Sequence, residues 1–270
     1  MSEAPMELFR APEDSSSARR LPTFLVIGAQ RAGTTSLYNY LTAHPGIAAA
    51  ATKEVHFFDV HYSKGPAWYE AQFPSRGEAQ ITGEASPYYL FHPLAAARAA
   101  AFLPDAKLIV LLRNPVDRAL SHHQHETRRG KETLPLAQAL ALEESRLRGE
   151  AERIATEPGY RSTAHQWHSY RARGCYMDQI ENWLRSFRSE QLLVLLSEQF
   201  YADPSTALRQ VTEFIGAEPL AARSAGDFEQ FNKAEYGEMP PEVREELVRF
   251  YRPHNCRLAE FLGHDPGWDP

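Results

Sequence analysis

An α/β fold of three layers, P-loop-like, with a central and mainly parallel sheet flanked by helices, is what this sequence predicts. Three observations carry that expectation. Two apolar runs, TFLVIGA at 23–29 and KLIVLL at 107–112, each lead through a turn into a segment with helical spacing. A third, QLLVLL at 191–196, lies between two helical patterns. Apolar strands that alternate with helices bury both faces, which implies parallel pairing and helical cover on each side.

Residues 1–20 are polar, carry Pro and Ser, and read as a flexible leader; 21–270 read as a single domain with room for a sizeable core. After the strand at 23–29, Leu37, Tyr40 and Leu41 set a helical stripe that Pro45 and Gly46 close. The block KEVHFFD (53–59) reads as extended, so alternation puts Glu54 and His56 on one face and Asp59 on the other. A short strand is expected at 80–84. Pro115 suits the first turn of a helix that runs on through VDRALSHHQHE. Helix is expected at 134–150 with a solvated charged face, irregular chain at 152–173, and an amphipathic helix at 176–187. After the strand at 191–196 come a helix at 205–215, the loop FNKAEYGEMPP and a last helix through Phe261. Trp183 and Phe187, at helical spacing, read as packing, and Trp68 and Tyr69 as core.

Composition narrows the function classes. A net charge of −6 disfavours an extended groove for nucleic acid or another long polyanion. No stretch approaches the roughly 20 apolar residues of a membrane span, and the expected location is the cytoplasm. Cys175 and Cys256 read as unpaired thiols.

Two loops carry the chemistry, and both follow strands, where ligands of open α/β sheets bind. GAQRAGTTS (28–36) has the spacing of a phosphate loop, whose backbone N–H groups converge at a helix N-terminus. A nucleotide triphosphatase has Lys directly after the second Gly; here Thr34 stands there, and the cation, Arg31, sits inside the loop. No acidic residue for magnesium ends the 107–112 strand; the residue there is Arg113. The pattern reads as a phosphate cradle that works without a metal. Arg113 is a second anion site, with Ser121 able to add a hydroxyl, or else the partner of Asp117 in an ion pair. His122, His123 and His125 suggest a metal, but no carboxylate is placed with them and no metal site is expected.

Together these blocks resemble the PAPS-dependent sulfotransferases, in particular the carbohydrate (heparan-sulfate-type) branch and its bacterial relatives. The matching pieces are FLVIGAQRAGTTSLYNYLTAHPGI, KEVHFFD, GEASPYYL, AKLIVLLRNPVDRALSHH and GCYMDQIENWLRSFRSEQLLVLLSEQF, in family order from about 22 to 216. The resemblance implies sulfuryl transfer from PAPS (3′-phosphoadenosine 5′-phosphosulfate) to a carbohydrate or small-molecule acceptor. It implies that Gln30, Arg31, Ala32, Gly33, Thr34, Thr35 and Ser36 hold the 5′-phosphosulfate, that Arg113 and Ser121 hold the 3′-phosphate, and that Lys233 belongs to a lid. Arg31 stands where the family usually has Lys, and Ala85 where some members have another Lys.

Sulfuryl transfer is an in-line displacement like phosphoryl transfer, so it calls for a cation at the leaving phosphate and a base at the acceptor. Arg31 supplies the first. The resemblance to the heparan-type branch makes Glu54 the expected base, with His56 as the alternative and Asp59 orienting a neighbour. Glu84 is either an acceptor contact or a strand-end ion pair. Segment 127–173, with Tyr160, His165, Trp167 and Tyr170, is a candidate acceptor-side lid or a plain surface insertion. Two other classes fit the loop alone, a small-molecule kinase and a non-catalytic nucleotide-binding module.

Overall fold

In the computed structural model, residues 8–9, 21–74, 81–218 and 237–268 are described. The strands are β1 (Phe24–Gly28), β2 (Ile47–Ala49), β3 (Ile81–Ala85), β4 (Lys107–Leu112) and β5 (Leu192–Leu196). They form one sheet in the order β2-β3-β1-β4-β5, with every neighbouring pair parallel. β1 is buried throughout and β4 from Leu108 onward, as the unbroken apolar runs require.

Helices fill the crossovers. α1 (Thr34–Thr42), α2 (Pro66–Glu70) and α3 (Ala95–Phe102) precede β4. Between β4 and β5 come α4 (Pro115–Arg128), α5 (Leu136–Leu147), α6 (Glu150–Thr156), α7 (Thr163–Trp167) and α8 (Tyr176–Leu184). α9 (Ser197–Ala202), α10 (Pro204–Ile215) and α11 (Pro241–Leu262) follow β5. The chain leaves β1 toward β2 on one side and leaves β4 toward β5 on the other. The carboxyl ends of β1 and β4 therefore flank the point where the winding reverses, the usual ligand crevice of such sheets.

α4 starts as the sequence implies. Pro115 opens it, and the Asn114 side chain caps it by accepting from Val116 N at 3.0 Å. A separate apolar cluster, including Val116, Ala119, Leu140, Tyr170, Leu247 and Tyr251, fastens α5 and α11 to α4. That outer clamp fixes the helix that follows Arg113.

Several expectations are corrected. Residues 54–59 are not extended: Glu54 and His56 have φ of 62° and 54°, and a turn follows. The helix expected at 134–150 breaks at Gly149 (φ 75°), and 152–173 contains helical turns. Glu143 does not lie on a solvated face. It is buried and accepts from Arg171 N and Ala172 N at 2.7 and 2.8 Å. Three-residue β2 and alanine-rich α3 were not anticipated. Of the expected leader, Phe9 is described: its N–H donates to Tyr62 Oη at 2.7 Å and its ring packs on that of Tyr62. Trp183 and Phe187 are buried and stacked, and Tyr69 is core. Cys175 is buried, Cys256 exposed, and both are free thiols. No helix among the described residues is long and apolar enough to cross a membrane.

Candidate active site

The phosphate loop is built by backbone geometry. Ala29 N donates to Leu111 O at 2.8 Å, which ties the exit of β1 to β4. Arg31 (φ 72°) and Gly33 (φ 102°) both take the left-handed conformation. At Gly33 a Cβ would meet Tyr201 Oη at 2.6 Å, so only glycine fits there. Ser197 Oγ donates to Ala32 O at 2.8 Å and holds the loop from the β5 side. Thr34 and Ser36 are buried, with Ser36 Oγ 3.4 Å from Tyr201 Oη, and Thr35 is half-buried.

Arg31 reaches from this loop to α4. Its Nε donates to Ser121 Oγ at 3.0 Å, and its Nη1 lies 3.5 Å from His125 Nδ1. Arg113 Nη1 in turn donates to Arg31 O at 3.2 Å. Sequence reasoning had separated Arg31 from Arg113 and Ser121 as two anion sites; the structure joins them through hydrogen bonds. Burial, then the Arg31 charge, holds His125 down to about 4, so the imidazole is neutral and can accept from the guanidinium. Asp117 pairs with Arg244 of α11 at 2.7 Å. A cavity of ≈ 430 Å³ opens beside Arg113, walled by Asp117, Leu120, Met239 and Arg244 among others.

The histidines of α4 do not converge. His123 Nε2 meets Leu134 O at 2.8 Å, while His122 is fully buried with neither ring nitrogen hydrogen-bonded. Contrary to expectation, a carboxylate does stand near: Glu126 is 3.9 Å from both His122 and His125, though it is hydrogen-bonded to Arg129. Elsewhere, Cys175, Asp178 and His254 bring ligand-type atoms within 4.8 Å of one another, with Asp178 already paired to Arg257 at 2.6 Å. Lys233 lies outside the described residues.

The second half of the site is a strap at 54–59 lashed to the end of β3. Glu54 N donates to Ala85 O at 3.1 Å, His56 N to Ser86 Oγ at 3.1 Å and Phe57 N to Tyr89 Oη at 2.7 Å. Ser86 N donates to Val26 O at 3.1 Å, so the strap begins next to β1 and its loop. The left-handed turns bring Glu54, His56 and Asp59 together instead of splitting them across a strand. His56 Nε2 is 3.1 Å from Glu54 Oε2, and His56 Nδ1 is 2.7 Å from the buried Asp59 Oδ2. Burial opposes a charge on His56, but hydrogen bonds to Asp59 and Glu54 prevail and lift it to about 10. Burial likewise opposes ionised Glu54, yet the hydrogen bond to His56 and the nearby Lys53, at 3.0 Å, hold it down at about 2. At neutral pH the pair is imidazolium and carboxylate.

Glu84 supports this strap from beneath. It is buried and, among the described residues, forms no ion pair. Its carboxylate accepts from Tyr69 Oη (2.7 Å), Ser86 Oγ (2.7 Å) and Tyr89 Oη (3.0 Å). Burial outweighs these bonds and raises it to about 7. Tyr89 thus donates to Glu84 and accepts from Phe57 N, a role that the SPYYL motif did not disclose. Of the aromatic residues proposed for a lid, Tyr170 and His165 are buried. Tyr170 Oη donates to Glu132 at 2.9 Å, and His165 Nδ1 lies 2.8 Å from Tyr88 Oη. His168 Nε2 meets Lys131 O at 3.0 Å.

Comparison with known proteins places this geometry in a family context. The family model described as "Sulfotransferase domain" matches residues 21–252. Human heparan sulfate glucosamine 3-O-sulfotransferase 3B1 is 33% identical over 94% of this chain and 66% of its own length. The human 3A1 enzyme is 32% identical over 100% of this chain and 67% of its own. The chain spans about two thirds of the length of these relatives. Among solved structures, a sulfotransferase from Alicyclobacillus acidocaldarius superimposes with a TM-score of 0.76 at 32% identity, covering 93% of this chain and 100% of that one. Mouse sulfotransferase SULT7A1 complexed with PAP shares the fold, with a TM-score of 0.53 at 17% identity over 94% of this chain and 90% of its own.

Proposed function

Because the chain belongs to the sulfotransferase domain family, we propose that it transfers a sulfuryl group from PAPS to a hydroxyl or amine of a carbohydrate. The products are the sulfated acceptor and 3′-phosphoadenosine 5′-phosphate (PAP). The observation that carries this reading is the junction at the ends of β1 and β4, where Arg31 is bonded to Ser121 and Arg113 to the loop backbone. In this reading loop N–H groups and Arg31 hold the 5′-phosphosulfate, and Arg113 with Ser121 holds the 3′-phosphate. Lys233 belongs to the same proposal as a lid cation. The names of the relatives support a carbohydrate acceptor.

The reaction is a displacement at sulfur: the acceptor oxygen or nitrogen attacks as the bond to the leaving phosphate oxygen breaks. Negative charge grows on that phosphate, and Arg31 with the loop N–H groups stabilises it. The acceptor proton goes to Glu54, which is ionised and free of a proton at neutral pH, although its low pKa makes it a weak base. His56 is ill suited to take it, because both its ring nitrogens are committed to carboxylates and it is already protonated. Its part is to fix the Glu54 carboxylate, as Asp59 fixes it. No metal ion enters this chemistry, and undiminished turnover in excess chelator is the expected check.

Titration calorimetry with PAP tests the donor half. Wild-type protein should bind PAP, and the double substitution Arg31→Ala with Arg113→Ala should abolish binding; equal binding by both proteins overturns the reading. Incubation of an oligosaccharide panel with labelled PAPS, followed by mass analysis for an added sulfuryl group, identifies the acceptor.

A further inference from the structure

Among the described residues, Arg173 is a buried charge with no carboxylate in hydrogen-bond contact. It lies just before α8, 3% exposed, with its guanidinium between the rings of Tyr88 and Phe91, 4.7 and 5.1 Å from their centroids. Its Nε donates to Ser169 Oγ at 2.7 Å, and its Nη2 to His165 O and Gln166 O at 3.1 and 2.7 Å. Nη1 donates to Gln30 Oε1. None of these acceptors is a carboxylate. Four hydrogen bonds and two aromatic faces immobilise a cation that costs free energy to bury, and burial, with the Arg118 charge nearby, pulls its pKa down to about 10. Three of the four bonds close a local knot with 165–169. The fourth leaves it for the phosphate loop.

That fourth bond has a consequence for Gln30. A carboxamide is ambivalent: turned one way it presents N–H donors, turned the other a carbonyl oxygen. A guanidinium cannot accept a hydrogen bond, so Gln30 must keep its oxygen on Arg173 and turn Nε2 away from it. We propose that Arg173 is a positioning residue which fixes the sense of the Gln30 amide, so that the phosphate loop offers N–H groups and not an oxygen to the phosphosulfate of its nucleotide. The inference rests on the donor site proposed above and deepens it.

The test is PAP affinity by calorimetry, combined with thermal melting, for wild type, Gln30→Ala, Arg173→Lys, the double variant and Gln30→Glu. Losing one charge-oriented hydrogen bond corresponds to roughly a 10-fold weaker Kd. Each of Gln30→Ala and Arg173→Lys should show that loss, and the double variant no more than either. A double variant about 100-fold weaker, the product of the two, overturns the proposal, because Arg173 would then act on binding by another route. Gln30→Glu separates folding from binding: it pairs with Arg173, so the melting temperature should rise, while PAP binding falls because an oxygen now faces the anion. Wild-type-like binding by Gln30→Glu overturns the positioning role and leaves the donor site standing. A wild-type protein that ignores PAP removes the donor site, and this inference with it.

Discussion

The two halves of the site are held by different means. On the side where the donor is proposed to bind, the loop at 28–36 is shaped by its own backbone: left-handed Arg31 and Gly33, a helix that starts at Thr34, and hydrogen bonds to β4 and Ser197. On the proposed acceptor side, Glu54 and His56 also take left-handed conformations, but three residues distant in sequence, Ser86, Tyr89 and Glu84, set their place. A loop that carries most of its geometry in a short motif needs few distant supports, here Ser197 and Arg173. A strap set by a buried carboxylate is vulnerable from beneath. Substitutions on the donor side should therefore act locally on nucleotide affinity, and substitutions under the strap should act on turnover.

The largest effect expected is on Glu54. Glu54→Gln should lower kcat by about 10²–10⁴-fold with PAP affinity unchanged, and pre-steady-state quench-flow would separate the two. Arg31→Ala should cost about 10²–10³-fold in kcat, whereas Arg113→Ala should show chiefly as a roughly 10- to 100-fold weaker Kd for PAP. A kcat defect for Arg113→Ala equal to that of Arg31→Ala would erase the distinction between the two arginines.

Two smaller effects concern pH. Glu84 has a folded pKa near 7, above its ordinary 4.5. The native state then holds a proton that the unfolded chain has released, and stability falls as pH rises from 4.5 to 7. Glu84→Gln should flatten that slope in urea titrations. His56 is also raised, from 6.5 to about 10. Its contribution is complete below 6.5 and disappears as pH climbs through 10, so His56→Asn should remove an alkaline loss of stability. The smallest effect expected is at the exposed Arg257, paired with Asp178 and Glu181. Arg257→Ala should leave both the melting curve and turnover unchanged.

The loops after β1 and β4 were legible in the sequence because each is a short contiguous motif and the strands that lead into them are apolar on both faces. The unbroken apolar runs at 24–28 and 107–112 are buried strands, and 192–196 is an edge strand half-buried over its first three residues. The acceptor side was legible only as a choice of residue types. Alternation placed Asp59 opposite His56, and no propensity rule announces that a Glu and a His will both adopt positive φ. The hub at Glu84 and the buried Arg173 depend on tyrosines and carbonyls up to 143 residues away in sequence, as Arg173 is from Gln30. One local signal was passed over: AAARAAAF at 95–102 has the best helix formers and is α3. Edge strand β2, three residues long, has too few positions to show a period.

The order of the strands also bears on how this protein comes into being. β1 is synthesised first yet lies in the middle of the sheet, between β3 and β4, and β5 completes the far edge only after residue 196. Each pairing spans a crossover, so ring closure must be endured before any ladder bond rewards it, and folding should be slow beside that of a helical bundle of equal size. During that wait FLVIG is an apolar ribbon with two open sides. A ribosome that has delivered only this strand and the loop after it has therefore delivered an apolar surface that waits unpaired, the kind a chaperone covers.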